Sequence, residues 1–312
     1  MSETIKNLLS HSINKLLKTS STPQLDAEVL LSYVLKKPRE YVLIHPEKKL
    51  TLKQVKKFND FIKRRLNYEP IAYILGKKEF YGLNFKVTRD TLILRPETEH
   101  LVDAVISNSQ LVNSKKTIIA DIGTGSGNII ISLAKNIQTS NVHNGHSMSF
   151  FGIDISKKAL TVAKHNAKKN NVDDKIKFLR GNLLEPIIKN INCYMFHASC
   201  SMIIVANLPY LSKKIYSSCA PNVKKFEPRS ALISGIDGLD HYEKLFQQIT
   251  LLRKKCFMLH ACLPKRQVSC FMEISPEQKQ KITKLIKKYF PNANIEFQKD
   301  LTQKWRVAIF EI

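Results

Sequence analysis

Six cysteines stand in this 312-residue chain, Cys193, Cys200, Cys219, Cys256, Cys262 and Cys270, and no two have CxxC spacing. Zinc ribbons and dithiol redox motifs are thereby excluded, and reduced thiols with no metal site are the expectation. Long apolar runs are missing as well: nothing approaches the roughly 20 uninterrupted apolar residues of a membrane span. The opening stretch, MSETIKNLLSHSINKLLKTSS, has neither the apolar block of a signal peptide nor the Arg-rich pattern of a transit peptide. A cytoplasmic protein, taken as a monomer, is expected. No internal repeat is found. Acidic residues are scarce, 26 against 50 Lys+Arg, leaving a net charge of +24. Such an excess suits an acidic partner, nucleic acid first. The basic residues, however, are mostly Lys, spread as KK pairs over every segment, and composition bias accounts for them equally well.

What is present is a globular composition, 43% hydrophobic, long enough for two domains. Residues 1–75 read as a small helical domain: ETIKNLLSHSINKLL, TPQLDAEVLLSYVL and TLKQVKKFNDFIKRRL each carry apolar residues three to four apart. Residues 76–114 read as a linker, a short hairpin between Gly76 and Gly82 running into a helix started by Pro96. Over residues 115–312 strands and helices alternate: KTIIADI, SFFGIDI, KIKFLRG, MIIVANL, VSCFMEI and the closing NIEFQ and WRVAIFEI, with helices near 127–137, 156–170 and 275–290. This predicts an α/β fold, a mainly parallel sheet covered on both faces, with ligands at the carboxyl ends of the strands. Three segments, near 138–149, 189–201 and 251–267, read as surface insertions.

The stretch ADIGTGSGN follows the first of these strands and opens a helix. Gly123, Gly125 and Gly127, with Thr124 and Ser126 between them, let the backbone turn tightly and approach a ligand at the helix start. A dinucleotide fingerprint wants Gly or Ala at 128, where this chain has Asn128, so the nicotinamide reading weakens. An ordinary strand–helix turn has the same look. The next strand ends at Asp154, able to accept from both hydroxyls of a ribose or, alternatively, to cap the following helix. The third ends in RGNLLEP, offering Asn182 as a polar edge and Leu183 as an apolar face for an adenine. Taken together, these point to S-adenosylmethionine rather than NAD.

The fourth strand stops at Asn207, followed by Leu208, Pro209 and Tyr210. Methyl transfer to a planar nitrogen needs both N–H groups held by acceptors and the nitrogen aimed at the methyl group. Asn207 Oδ1 is one acceptor and the Leu208 carbonyl the second, kept extended because Pro209 excludes its residue from the helical region. Tyr210 is placed to stack on the flat group and to favour developing positive charge. A strand-ending turn with no such role is the plainer alternative.

Nearly the whole chain resembles the HemK/PrmC family, the protein-(glutamine-N5) methyltransferases of peptide chain release factors. The resemblance lies in EPIAYILGKKEFYGLNFKV, LILRPETE, DIGTGSGNI, GIDIS, NLPY, EPRSALISGIDGLDHYEKL, FMEISPEQ and KWRVAIF. It implies a Rossmann-like class I S-adenosylmethionine-dependent methyltransferase domain behind a helical substrate-recognition domain. It also implies transfer of a methyl group to the glutamine of a Gly-Gly-Gln tip. By the same resemblance Gly123–Gly127, Asp154, Leu183 and Asn207 contact the cofactor, and Asn207, Leu208, Pro209 and Tyr210 hold the glutamine.

The chain departs from the family pattern at Leu208, Leu94 and Ser275, which stand where proline, proline and glycine are usual. Leu208 is tolerable if it contributes only its carbonyl. Asn-Leu-Pro-Tyr also resembles the motif of ribosomal-RNA adenine dimethyltransferases, which lack the front third of this chain. An inactive methyltransferase fold that docks on release factors or ribosomes is a third reading.

Overall fold

The computed structural model describes residues 3–109, 116–137, 147–190, 200–259 and 268–312. The chain forms two compact units, one of residues 1–77 with 219–227, the other of residues 78–218 with 228–312.

The first unit is helical: α1 (Ile5–Leu16), α2 (Pro23–Leu35), α3 (Arg39–Ile44), α4 (Leu52–Leu66) and α5 (Ile71–Leu75). Thr4 caps α1, and Thr51 with Gln54 closes a reciprocal capping box on α4, so orphan N–H groups are satisfied locally. Apolar faces spaced three and four residues apart then pack Ile5, Leu8, Leu30, Leu31, Phe58 and Ile62 into one core. Polar pairs fasten the end of α4. Arg65 Nε donates to the buried Asp26 at 2.6 Å, and Arg64 grips Glu69 with two bonds of 2.8 and 2.9 Å. The helices α3 and α5 have no counterpart in the periodicity, being six and five residues long.

The second unit opens with a hairpin, β1 (Lys77–Phe80) and β2 (Leu83–Lys86), and, after a 3-10 turn at Pro96–Thr98, α6 (Glu99–Ser109). Next come β3 (Lys116–Ile122), α7 (Asn128–Asn136), β4 (Ser147–Asp154), α8 (Lys157–Lys169), β5 (Ile176–Arg180), α9 (Glu185–Lys189) and β6 (Cys200–Ala206). The short helix α10 (Lys213–Ser218) is followed in sequence by α11 (Pro221–Phe226), which belongs to the first unit, and then by α12 (Asp240–Leu259), while β7 (Val268–Glu273), α13 (Lys279–Tyr289), β8 (Asn294–Lys299) and β9 (Trp305–Glu311) close the chain.

Seven strands form one sheet in the order β5-β4-β3-β6-β7-β9-β8, parallel except for β9, which runs antiparallel to both its neighbours. Central strands buried on both faces read as unbroken apolar runs such as IIADI and MIIVA, as a parallel sheet requires. The order reverses between β3 and β4 on one side and β6 on the other, and this switch point sets the cleft.

The expectation of a surface insertion over 251–267 is corrected in part. Residues 251–259 continue α12, and Leu252 is buried in the sheet's core with Ile249 and Phe246. Likewise Ser147–Ser149 belong to β4, Lys189 ends α9, and Cys200 and Ser201 begin β6. The remainder of these segments, 138–146, 191–199 and 260–267, lies outside the described residues. Cys219 and Cys270 are free thiols. No described helix is long and apolar enough to cross a membrane.

Candidate functional site

At the carboxyl end of β3 the chain turns through Gly123, Gly125 and Gly127, all at positive φ (74°, 54° and 81°). The N–H groups of Gly123 and Thr124 both donate to the Ile153 carbonyl at 2.9 Å, which ties the loop to β4. Gly127 stands behind the loop rather than in the cavity wall. A Cβ there would lie 2.9 Å from Ile131 Cδ1 and 3.2 Å from Ala163 Cβ, so glycine lets α7 and α8 close up.

Asp154, at the end of β4, accepts from the Gly125 N–H at 2.9 Å and the Ser156 N–H at 2.8 Å. The cap of α8 is Ser156, whose hydroxyl accepts from the Ala159 N–H at 3.2 Å, so the capping alternative for Asp154 falls away. Burial raises the Asp154 carboxyl, and these backbone bonds oppose the rise. Asp121, entirely buried at the end of β3, is pushed by burial up to about 7 while accepting the Thr124 hydroxyl at 2.6 Å.

After β5 the loop carries Asn182 and Leu183, the latter at φ 55°. Gln248 of α12 pins it. Its Oε1 accepts from the Leu184 N–H at 2.7 Å and its Nε2 donates to the Asn182 carbonyl at 3.3 Å. Asn166 of α8 does the same for the hairpin, exchanging bonds of 2.7 and 3.0 Å with Lys86 and donating to the Ser126 carbonyl at 2.9 Å.

Asn207 follows β6. Its Nδ2 donates to Thr98 Oγ1 at 3.1 Å, and Thr98 donates to Glu273 Oε2 at 2.6 Å. Tyr210 donates to the other oxygen, Glu273 Oε1, at 3.2 Å. The Tyr210 carbonyl accepts from Gln278 Nε2 at 3.0 Å, and Gly238 passes so close that a Cβ there would lie 2.1 Å from it. Among the described residues no group donates to Asn207 Oδ1 or to the Leu208 carbonyl. Burial raises the Glu273 carboxyl and the Tyr210 hydroxyl alike.

The sequence assigns Leu208 a role through its carbonyl alone, and the structure corrects this. Its side chain is buried in the core with Tyr242, and its Cδ2 is the atom that a Cβ on Gly123 would meet at 3.0 Å. Tyr242 donates to the Glu273 carbonyl. Of the other departures, Leu94 is buried, and Ser275 at φ −70° caps the 3-10 turn before α13 with Gln278, a conformation that needs no glycine.

These loops enclose a cavity of about 380 Å³ walled by Gly123–Ser126, Ile153–Ser156, Gly181–Leu183, Asn207–Pro209 and the 89–95 segment. Gly123, Thr124, Gly125, Ser126, Asp154, Asn182, Leu183, Asn207, Leu208 and Pro209 thus meet in one place. Tyr210 does not line the wall: its ring packs against the core and its hydroxyl turns to Glu273. The sequence assigns no role to Ile155, 66% exposed at the wall, or to the buried Thr98, Tyr242, Gln248, Glu273 and Gln278, although all but Gln248 lie in the stretches that carry the family resemblance. Each of these finds its partner far along the chain.

The wall suits a nucleoside carrying an amino-acid tail. A carboxylate has about four acceptor sites, so Asp154 keeps capacity for ribose hydroxyls beyond its backbone donors. The glycines leave room beside the backbone, and Leu183 and Ile155 present apolar surface to a base.

This strand order, with a glycine loop after the central strand and an acidic residue after the next, defines a class I S-adenosylmethionine-dependent methyltransferase. The fold is shared with the hMettl16 catalytic domain, solved in complex with the MAT2A 3'UTR hairpin 6, at TM-score 0.51 and 16% identity over 80% of this chain and 81% of that one. Residues 7–76 match the PrmC N-terminal domain and residues 113–289 a methyltransferase domain. The chain is 32% identical over 289 residues to the release factor glutamine methyltransferase of Bacillus cereus, covering 91% of each. It is 40% identical over 235 residues to that of Coxiella burnetii, covering 75% of this chain and 76% of the other. The chain belongs to the release factor glutamine methyltransferase family.

Proposed function

We propose that the protein transfers a methyl group from S-adenosylmethionine to the side-chain amide nitrogen (N5) of the glutamine in the Gly-Gly-Gln motif of peptide chain release factors. The observation that carries this is the pair of open acceptors, Asn207 Oδ1 and the Leu208 carbonyl, at the wall that the glycine loop and Asp154 share. Two acceptors match the two N–H groups of a primary amide as they would those of an exocyclic amine, and the release factor glutamine methyltransferase relatives favour the amide.

The cofactor, when bound, supplies an electrophilic methyl group on sulfonium. Gly123–Ser126 bound its amino-acid end, with Gly127 letting α7 and α8 close up behind them, Asp154 accepts from the ribose, and Asn182 and Leu183 hold the base. Asn207 and Leu208 fix the glutamine nitrogen in line with that methyl group, and Pro209 stiffens the carbonyl's backbone. Tyr210, behind them, braces the tetrad through its hydroxyl on Glu273 rather than facing the amide. No strong base is required, because the nitrogen loses its proton readily once alkylated. Positioning and preorganised dipoles supply most of the acceleration. Residues 1–75 act as the substrate-recognition domain, and the enzyme works as a cytoplasmic monomer.

The test is to incubate the purified protein with tritiated S-adenosylmethionine, a Gly-Gly-Gln release factor and, separately, ribosomal RNA. Label on the factor, lost when its glutamine is replaced by alanine, is the expected result. Label on RNA alone sinks the proposal, and label on neither favours a docking module.

A further inference from the structure

We propose that Glu273 is the positioning residue of the site: through Thr98 it fixes which end of the Asn207 amide faces the substrate, and through Tyr210 it fixes the far end of the same tetrad. The inference rests on the reading that Asn207 Oδ1 accepts from the glutamine amide.

An amide side chain has the same shape after its oxygen and nitrogen are exchanged, so only hydrogen bonding decides which end points where. At Asn207 that choice is the difference between offering the substrate an acceptor and offering it a second donor. A threonine hydroxyl has one proton. Thr98, fully buried, spends that proton on Glu273 Oε2 at 2.6 Å, so toward Asn207 it has only lone pairs left. The group facing it at 3.1 Å must therefore be Nδ2, and Oδ1 is turned the other way.

The carboxylate is suited to this because it only accepts. Both of its oxygens are engaged, by Thr98 at 2.6 Å and by Tyr210 at 3.2 Å; burial raises the carboxyl, and these two bonds with the nearby Arg306 guanidinium oppose the rise. The ladder supplies the placement. Ala206 of β6 pairs with Met272 of β7, so the next residues along the two strands are Asn207 and Glu273. Thr98 enters from the 3-10 turn of the 96–98 segment. One buried carboxylate thus joins three stretches of chain that lie 63 to 175 residues apart.

Thr98→Val keeps the shape and removes the relay. Its kcat is expected to fall about 10- to 100-fold, a fraction of the 10²–10³-fold scale for deleting a preorganised group outright, with KM for the release factor and affinity for S-adenosylmethionine within about threefold. Thr98→Ser, which keeps the hydroxyl, restores kcat to within about threefold of the parent. Glu273→Gln is a second path. An amide nitrogen facing Thr98 turns its proton toward Asn207 and flips that amide, so kcat falls about 100-fold. Thr98→Val combined with Asn207→Ala is expected to lose no more than Asn207→Ala alone, because there is no amide left to orient. Parental kcat in both Thr98→Val and Glu273→Gln, or losses that multiply in the double variant, overturn the inference while leaving the proposed reaction intact. Parental kcat in Asn207→Ala overturns the proposed reaction instead.

Discussion

The two halves of the cavity strike different balances of backbone and side-chain bonding. On the cofactor side the glycine loop is tied mainly through N–H groups, Gly125 and Ser156 on Asp154 and Gly123 and Thr124 on Ile153, with Asn166 reaching in from a distance to brace it and Gln248 to brace the loop after β5. On the substrate side the tetrad is held by side chains, with Thr98, Glu273 and Gln278 reaching it across 109, 63 and 68 residues of sequence. A backbone cradle tolerates change in its surroundings and binds many nucleosides. A side-chain lattice fixes one geometry and fails when one member is lost. The difference suits the two tasks, because a cofactor needs only to be bound, whereas a poor nucleophile needs to be aimed.

Substitutions on either side test this contrast, and the largest effect belongs to Asn207→Ala. Losing one preorganised acceptor is expected to lower kcat about 10²–10³-fold with S-adenosylmethionine affinity and melting temperature little changed, as single-turnover rates and calorimetry would reveal. A parental rate would remove the tetrad from the mechanism. Asp121 gives an effect of comparable size, on stability. An acid whose folded value is raised holds a proton that the unfolded chain has released, so its contribution to stability falls as pH rises from about 4 to about 7 and is flat above. Whatever offset the replacement itself brings, the stability difference between Asp121→Asn and the parent should move in the variant's favour by about 2–4 kcal/mol between pH 4 and pH 8. Urea titrations at several pH values measure it, and a constant difference counts against a raised Asp121.

On the cofactor side Asp154→Ala is expected to weaken S-adenosylmethionine about 10- to 30-fold, the loss of one charge-assisted contact pair, with kcat at saturation nearly kept. A kcat loss as deep as that of Asn207→Ala would erase the contrast drawn above. Leu208→Pro comes next. Despite restoring the usual family sequence it gives up the core packing of the Leu208 side chain beside Gly123, so about 1–2 kcal/mol of stability should go, with kcat at low temperature close to parental. The smallest effect concerns charge. Raising salt should increase KM for the release factor several-fold and barely touch kcat, whereas a flat response would exclude the basic surface from binding.

The same contrast decides what the sequence reveals. DIGTGSG, the strand ends at Asp154 and Asn182, and NLPY are local words, each readable because its parts are neighbours in the chain, and they meet around one cavity. Glu273 looked like the end of another apolar strand, and Thr98 like the third residue of a helix started by Pro96. Nothing local distinguishes a buried carboxylate that joins Thr98 to Tyr210 from one that faces solvent. Among the elements, long periodic helices and buried strands were legible, while α3, α5, α9, α10 and α11, five or six residues each, offer too few turns for a period. The run LLRKKCFML read as a loop because its charges mask the face that places Leu252 in the core.

Residues 219–227 cluster with the helical unit, where Lys225 Nζ lies 5.2 Å from the centre of the Tyr68 ring, although they fall in sequence between two stretches of the sheet unit. The chain therefore changes unit three times, at 77/78, 218/219 and 227/228, rather than once. A gene cut after residue 77 would not yield two self-sufficient pieces: the longer fragment would carry a nine-residue orphan and the shorter would lack it. Anyone wishing to exchange recognition modules among relatives must transplant the small inserted segment together with the front of the protein, and chimaeras that swap only the front are expected to express poorly.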